Sequence, residues 1–165
     1  MKWLYKLLNA ATPEEQKGIS LKNPQWEVSP LNDMPSFLRS LIGIIPENSI
    51  LYLEGGSPDE EISTYLKERK ANKPTKIALG TIWPRPIFYH MPFTPENVHG
   101  LAEIMEHHAT PEGAIHLHIY KNDKIILEWH DAFFDDPMYI SEDIDAQKIR
   151  QFCKKLSLKY KLLIV

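Results

Sequence analysis

Hydrophobic and polar positions alternate along this chain in three passes, each from a strand-like run into a helix start and out again. The first sets Ile50, Leu51, Tyr52 and Leu53 ahead of Ser57-Pro58-Asp59-Glu60, and an amphipathic stretch then reaches Arg69. The second sets Ile87–Met91 ahead of Thr94-Pro95-Glu96 and a helix to about His107. The third sets Met138-Tyr139-Ile140 ahead of Ser141–Asp145 and a helix to about Leu156. Ser57 is the expected cap of the first helix, with Pro58 at its first position and Glu60 completing a capping box. Asp145 caps the third, with Ile144 and Ile149 as a hydrophobic staple. Lys76–Trp83 reads as a strand, Trp83-Pro84-Arg85-Pro86 as an abrupt reversal, and Leu162–Val165 as a final strand. Parallel neighbouring strands need crossovers, so at least two right-handed βαβ units are expected.

Residues 1–48 form a helical and irregular lead-in, punctuated by Asn23-Pro24-Gln25-Trp26 and Ser29-Pro30. A helix over Pro35–Ile44 is predicted, with Asp33 as a cap and Phe37, Leu38, Leu41, Ile42 and Ile45 on one face. Trp3, Leu4, Leu7 and Leu8 have helical spacing. They predict a helix docked on the body, or one that meets a membrane interface or a partner.

Ala114–Tyr120 and Lys124–His130 are the clearest strand pair. Ile115, Leu117 and Ile119 form one apolar set; Ile125, Leu127 and Trp129 form the other. A two-residue Asn122-Asp123 turn would pair Lys121 with Lys124 and mix the faces. A three-residue loop from Lys121 to Asp123 pairs Ile119 with Ile125 and Leu117 with Leu127, so all six apolar residues share a face. The opposite face then carries His116, His118, Tyr120, Ile126, Glu128 and His130, with His116 facing Glu128 and His130 facing Ala114. Its expected state is a solvated polar sheet face. Imidazole and carboxylate groups together also suit a metal or a general acid–base pair.

Bulk properties narrow the function classes. The chain has 165 residues, enough for one domain with a sizeable core. A formal charge of −3, with no Lys/Arg block, gives no footprint for nucleic acid. Cys153 is the single cysteine and falls in a helical core stripe, so a small core residue in a reducing, cytoplasmic setting is expected. Lys6 interrupts the N-terminal apolar run, and no stretch of about 18 apolar residues occurs, so neither a signal segment nor a transmembrane helix is expected.

Other motifs are weaker. Glu54-Gly55-Gly56-Ser57 joins a strand to a helix start, where phosphates bind, but it lacks a Walker lysine and is ringed by carboxylates. His99, Glu103 and His107 form a polar helix stripe. His130-Asp131 ends a strand, unlike the helical phosphohydrolases that use such a pair. Trp83 and Arg85 are candidate binding anchors on a proline-rigid reversal. Phe133 and Phe134 sit among Asp131, Asp135 and Asp136, either as an acidic contact loop or as a tight loop pinned to the core by one Phe.

The resulting expectation is a single α+β domain over 1–165, with 49–165 as its body. Its mixed sheet is built from βαβ-type units plus an antiparallel hairpin, and helices cover mainly one face. The expected function is a non-enzymatic binding or regulatory module. Its candidate surface is His116, His118, Tyr120, Glu128, His130, Asp131, Trp83 and Arg85, and its expected partner is another protein or a second copy of the chain. No catalytic residue, cofactor or metal is assigned. The alternative is a metal-dependent or His/Glu acid–base enzyme centred on the 114–130 hairpin.

Overall fold

Two of the three strand–helix–strand passes close as expected in the computed structural model, which describes residues 1–22 and 24–163. Asn23 and the last two residues of the expected C-terminal strand lie outside them. Strands β1 (Pro24–Val28), β2 (Ile50–Glu54), β3 (Phe88–Pro92), β4 (His116–Lys121), β5 (Lys124–Trp129), β6 (Met138–Ser141) and β7 (Tyr160–Leu162) form one sheet in the order β3-β2-β4-β5-β6-β1-β7. β3 and β4 both run antiparallel to β2, so they run parallel to each other. The helices α4 (Pro95–Met105) and α5 (Thr110–Gly113) connect them across it. In the same way α6 (Ala146–Lys155) connects β6 to β7 across β1. The fold is α+β, but the sheet is not mixed. Every neighbouring pair of strands is antiparallel, because an antiparallel strand fills the gap of each crossover.

The first pass fails, and the reason governs the rest of the structure. After β2 the chain runs back as α3 (Glu60–Glu68), then crosses to the other side of the sheet and traverses it once more before β3. Thr75 lies beside Tyr120 at one end of this traverse, and Gly80 and Thr81 lie beside Glu54 at the other. The extra traverse reverses the entry of β3, which therefore pairs antiparallel to β2. Lys76–Trp83 is thus not a strand. Its one ladder contact is a parallel bridge between Ile77 and Ile19. The Gly80 and Thr81 amides go to the Glu54 side chain instead of a strand partner, and the flanking Pro74, Pro84 and Pro86 have no amide to offer.

The helices α2 (Met34–Leu41), α3, α4 and α6 pack on one face of the sheet. Phe37 centres this core, with its ring 5.1 Å from Trp129, 5.6 Å from Phe133 and 6.1 Å from Phe152. Phe133 is buried and Phe134 exposed, so one Phe pins that loop. Cys153 is buried in the same core, and burial pushes its thiol up to about 11. Asp33, Thr94 and Asp145 cap their helices as expected. Ser57 does not. Asp59 caps α3 by accepting from the Ile62 amide at 3.0 Å, because the chain is still extended at Asp59 and the helix begins only at Glu60. Asp59→Ala should therefore cost about 1 kcal/mol in urea unfolding, and Ser57→Ala close to nothing.

The hairpin register also differs. The turn is the two-residue Asn122-Asp123, with Lys121 opposite Lys124, and Asn122 adopts a φ of 53°. A bulge then resolves the conflict of faces. Tyr120 pairs with Ile125 and Ile119 with Leu127, leaving Ile126 as the extra residue. Leu117, Ile119, Leu127 and Trp129 keep the core face, and Ile126 joins them. Ile125 turns to the opposite side, into a second apolar cluster with Tyr52, Ile77 and Tyr120. His118, not His116, consequently faces Glu128. The rings of His116 and His130 lie 5.3 Å apart, so His130 does not sit against Ala114.

Candidate functional site

The polar face of the central strands is not solvated, contrary to its alternation pattern. Residues 10–22 and 71–87 lie over it as a non-helical layer. Tyr52 and Glu54 project from β2, His90 from β3, His116, His118 and Tyr120 from β4, and Glu128 from β5. Of these, Tyr52, Glu54, His116, His118 and Tyr120 are buried.

Each of several polar groups holds a backbone amide or hydroxyl of the layer. Glu54, only 1% exposed, accepts from Thr81 N at 2.7 Å, Gly80 N at 3.1 Å and the Tyr52 hydroxyl at 2.6 Å. Glu128 accepts from Leu21 N at 2.8 Å and pairs with His130 Nε2 at 3.4 Å. The Tyr120 hydroxyl accepts from Thr75 N at 3.1 Å, which directs its own hydrogen to His90 Nδ1 at 3.0 Å. Asp131 N donates to His116 Nδ1 at 3.0 Å, so the other nitrogen, Nε2, carries the hydrogen and donates to Thr81 Oγ1 at 3.1 Å. Gly80 passes so near the His116 ring that a Cβ would lie 2.6 Å from Cδ2. The sheet face is a socket, and the layer is fastened into it.

Burial sets the protonation of this socket. It lowers His90 to about 4 and His118 to about 3, and it lowers His116 as well. Burial and the neighbouring Glu54 carboxylate both raise the Tyr52 phenol. His130 runs the other way, raised by its bond to Glu128. The His118 ring stacks on Tyr52, centroids 5.5 Å apart and 13° from parallel, and its buried Nδ1 has no hydrogen-bond partner. His90, His116 and His118 are thus held toward the neutral imidazole form, and Glu54, Glu128, Tyr120 and His116 hold groups of the layer. A cavity of about 100 Å³ remains between Tyr52, His90 and Phe88 on the sheet and Ile77, Leu79 and Arg85 on the layer.

The candidate residues divide between the two sides of this arrangement. His116, His118, Tyr120, Glu128, His130 and Asp131 gather at the socket. Trp83 and Arg85 belong to the outer part of the layer, where they tie it to the N-terminal segment. Arg85 N donates to Asn9 O at 2.7 Å, its guanidinium pairs with Glu15 at 3.0 Å, and Ala11 N donates to Ile82 O at 2.7 Å. Trp83 Nε1 donates to Leu8 O, yet the residue is 65% exposed. The helix α1 (Lys2–Leu7) joined there buries none of its residues: Trp3 is 68% and Leu7 74% exposed. Leu4, Leu8, Ile82, Ile87 and Phe88 are exposed beside them in sequence. The spacing of Trp3, Leu4, Leu7 and Leu8 signals an amphipathic helix, but it does not say that the apolar side faces outward.

Charge follows the same division. Residues 1–22 and 70–88 hold Lys2, Lys6, Lys17, Lys22, Lys70, Lys73, Lys76 and Arg85 against Glu14 and Glu15. The rest of the chain has the other 11 of 19 basic residues and 20 of 22 acidic ones. A net charge of −3 therefore conceals a basic region, made of the layer, its flanking residues and α1, on an acidic body.

One cluster of possible metal ligands lies elsewhere. Atoms of Asp59, Glu61 and His108 fall within 4.8 Å of one another. His108 Nδ1 bonds Glu112 at 2.9 Å and Nε2 faces Glu61 at 3.2 Å, which raises its pKa. An imidazole with a carboxylate at each ring nitrogen accounts for that grouping as a polar tie between the start of α3 and α5. Compared with known proteins, the chain matches no protein family, no curated protein and no solved structure.

Proposed function

We propose that this protein is a non-enzymatic docking module whose working surface is the outer side of the covering layer together with α1. One observation carries this reading. Of the twelve large hydrophobic side chains most exposed among the described residues, nine fall in 1–8 and 82–88. Those two segments are hydrogen-bonded to each other. Scattered exposed apolar residues are ordinary, but a concentration of this kind marks an interaction site. The socket supports the reading from below. It commits buried polar side chains to holding the layer in one place, which is how a docking surface made of loops acquires a fixed shape.

The test is a photoreactive phenylalanine placed at Leu7 in the full chain, in cells, with Lys148 on the exposed side of α6 as the control position. Discrete adducts from Leu7 that Trp83→Ser abolishes are expected. Leu7 adducts no more abundant than those from Lys148 would remove the docking reading.

A further inference from the structure

The exposed apolar residues and the uneven charge point to a single occupant. α1 has six residues and spans roughly 9 Å. A helix that docks in a protein groove presents anchors over two turns or more, and α1 is too short for that. Its side chains instead suit a fluid, shapeless solvent. Trp3, Leu4 and Leu7 alternate with Lys2 and Lys6, and Trp83 stands at the helix end. Indole rings with lysines beside them are the side chains that settle at the boundary between headgroups and acyl chains.

Electrostatics selects the kind of bilayer. Lys6 and Lys76 have no carboxylate partner among the described residues, Lys76 Nζ reaches the backbone oxygen of Glu14, and Lys2 meets the Glu14 carboxylate at 3.5 Å in an exposed pair that water and salt screen. The basic region is attracted to anionic headgroups, and the acidic remainder of the chain is repelled by them. Both forces turn the same side toward the membrane. No helix of the described residues is long and apolar enough to cross a bilayer, so the contact is peripheral.

We propose that the covering layer seats this protein on an anionic lipid bilayer. Trp3, Leu7 and Trp83 enter the interface, and Lys2, Lys6 and Lys76 meet the headgroups. The proposal rests on the docking reading above and adds the identity of the occupant.

The test uses the full chain with vesicles of phosphatidylcholine alone and of phosphatidylcholine mixed with phosphatidylglycerol. Co-sedimentation with the mixed vesicles and a blue shift of tryptophan emission are expected. Affinity for phosphatidylcholine alone should be weaker by about tenfold or more, and added salt should weaken the mixed-vesicle binding. Lys2→Glu with Lys6→Glu should abolish the preference for anionic lipid. Trp3→Ser with Leu7→Ser should abolish binding, while circular dichroism stays unchanged because these side chains are exposed. Equal binding to both vesicles, or none to either, overturns the proposal. If vesicles fail but the Leu7 photo-adduct is a protein, the docking reading survives and the lipid occupant does not. If both fail, both readings fall.

Discussion

Replacing Glu54 with alanine should cost roughly 3–5 kcal/mol, a large effect for a residue that contacts neither α1 nor the main helical core. The carboxylate is 1% exposed and accepts three hydrogen bonds, two of them from consecutive amides of the layer. Removing it leaves the Tyr52 hydroxyl buried without an acceptor and takes the acceptor from the part-buried Gly80 and Thr81 amides. Glu54→Gln keeps the shape but turns an NH₂ group toward donors, so it should recover only part of the loss. Thr81→Ala removes one hydroxyl from His116 and should cost much less. Urea midpoints measure the first comparison. Limited proteolysis adds a second readout, because new cleavage in 78–86 should precede global unfolding in the Glu54 variants. A Glu54→Ala midpoint within about 1 kcal/mol of the parent would show that the socket does not hold the layer.

Acidification from pH 7 to pH 4 should destabilise the fold by several kcal/mol, an effect dominated by His118 and His90. In the unfolded chain imidazoles take up protons near pH 6.5. In the folded protein His118 stays neutral to about 3 and His90 to about 4. Between these values the unfolded state binds more protons, so stability is fully present above pH 6.5 and falls as the pH falls. His130 has the opposite sign. Its raised value contributes stability that is present below pH 6.5 and lost as the pH rises through that value. Glu128, lowered in the folded state, adds a further loss at the acid end of the window as it is protonated. His118→Phe separates these contributions. It preserves a ring against Tyr52 and eliminates an unpartnered buried nitrogen, so it should hold or raise stability at pH 7 and flatten the decline toward pH 4. Thermal melts across the range will show it, and an unchanged slope in His118→Phe would rule out His118 as the source.

How much of this was legible in the chain depended on whether the rule at work was local. Asp33, Thr94 and Asp145 could be recognised as caps because an N-cap involves only the next three residues. At the first helix two cap-forming residues stand two positions apart, and nothing local chooses Asp59 over Ser57. The hairpin's core face was readable from Leu117, Ile119, Leu127 and Trp129. Its bulge was not, because Ile125-Ile126-Leu127 is apolar throughout and allows the chain to change faces anywhere in the run. The polar face of β4 was legible as polar but not as buried. His116 and His118 alternate identically whether water or a layer lies above them. The layer itself was invisible as such. Its bonds run from Leu21 to Glu128 and from Thr81 to Glu54, and the acceptors are side chains, which leave no period in the sequence.

The same bonds bear on the order in which the molecule assembles. Leu21 reaches its acceptor across 107 residues, and Thr75 reaches Tyr120 across 45. Closing such long loops is favourable only after their destinations exist, and those destinations lie on β2, β4 and β5 in the middle of the sheet. The layer should therefore dock late, onto a sheet already paired, and open before the helical core does. Amides of Leu21, Thr75, Gly80 and Thr81 should exchange with solvent through a shared sub-global opening, well below the free energy that releases Leu117 or Leu127. The layer should therefore behave as a cooperative unit that can separate from the sheet while the helical core remains folded.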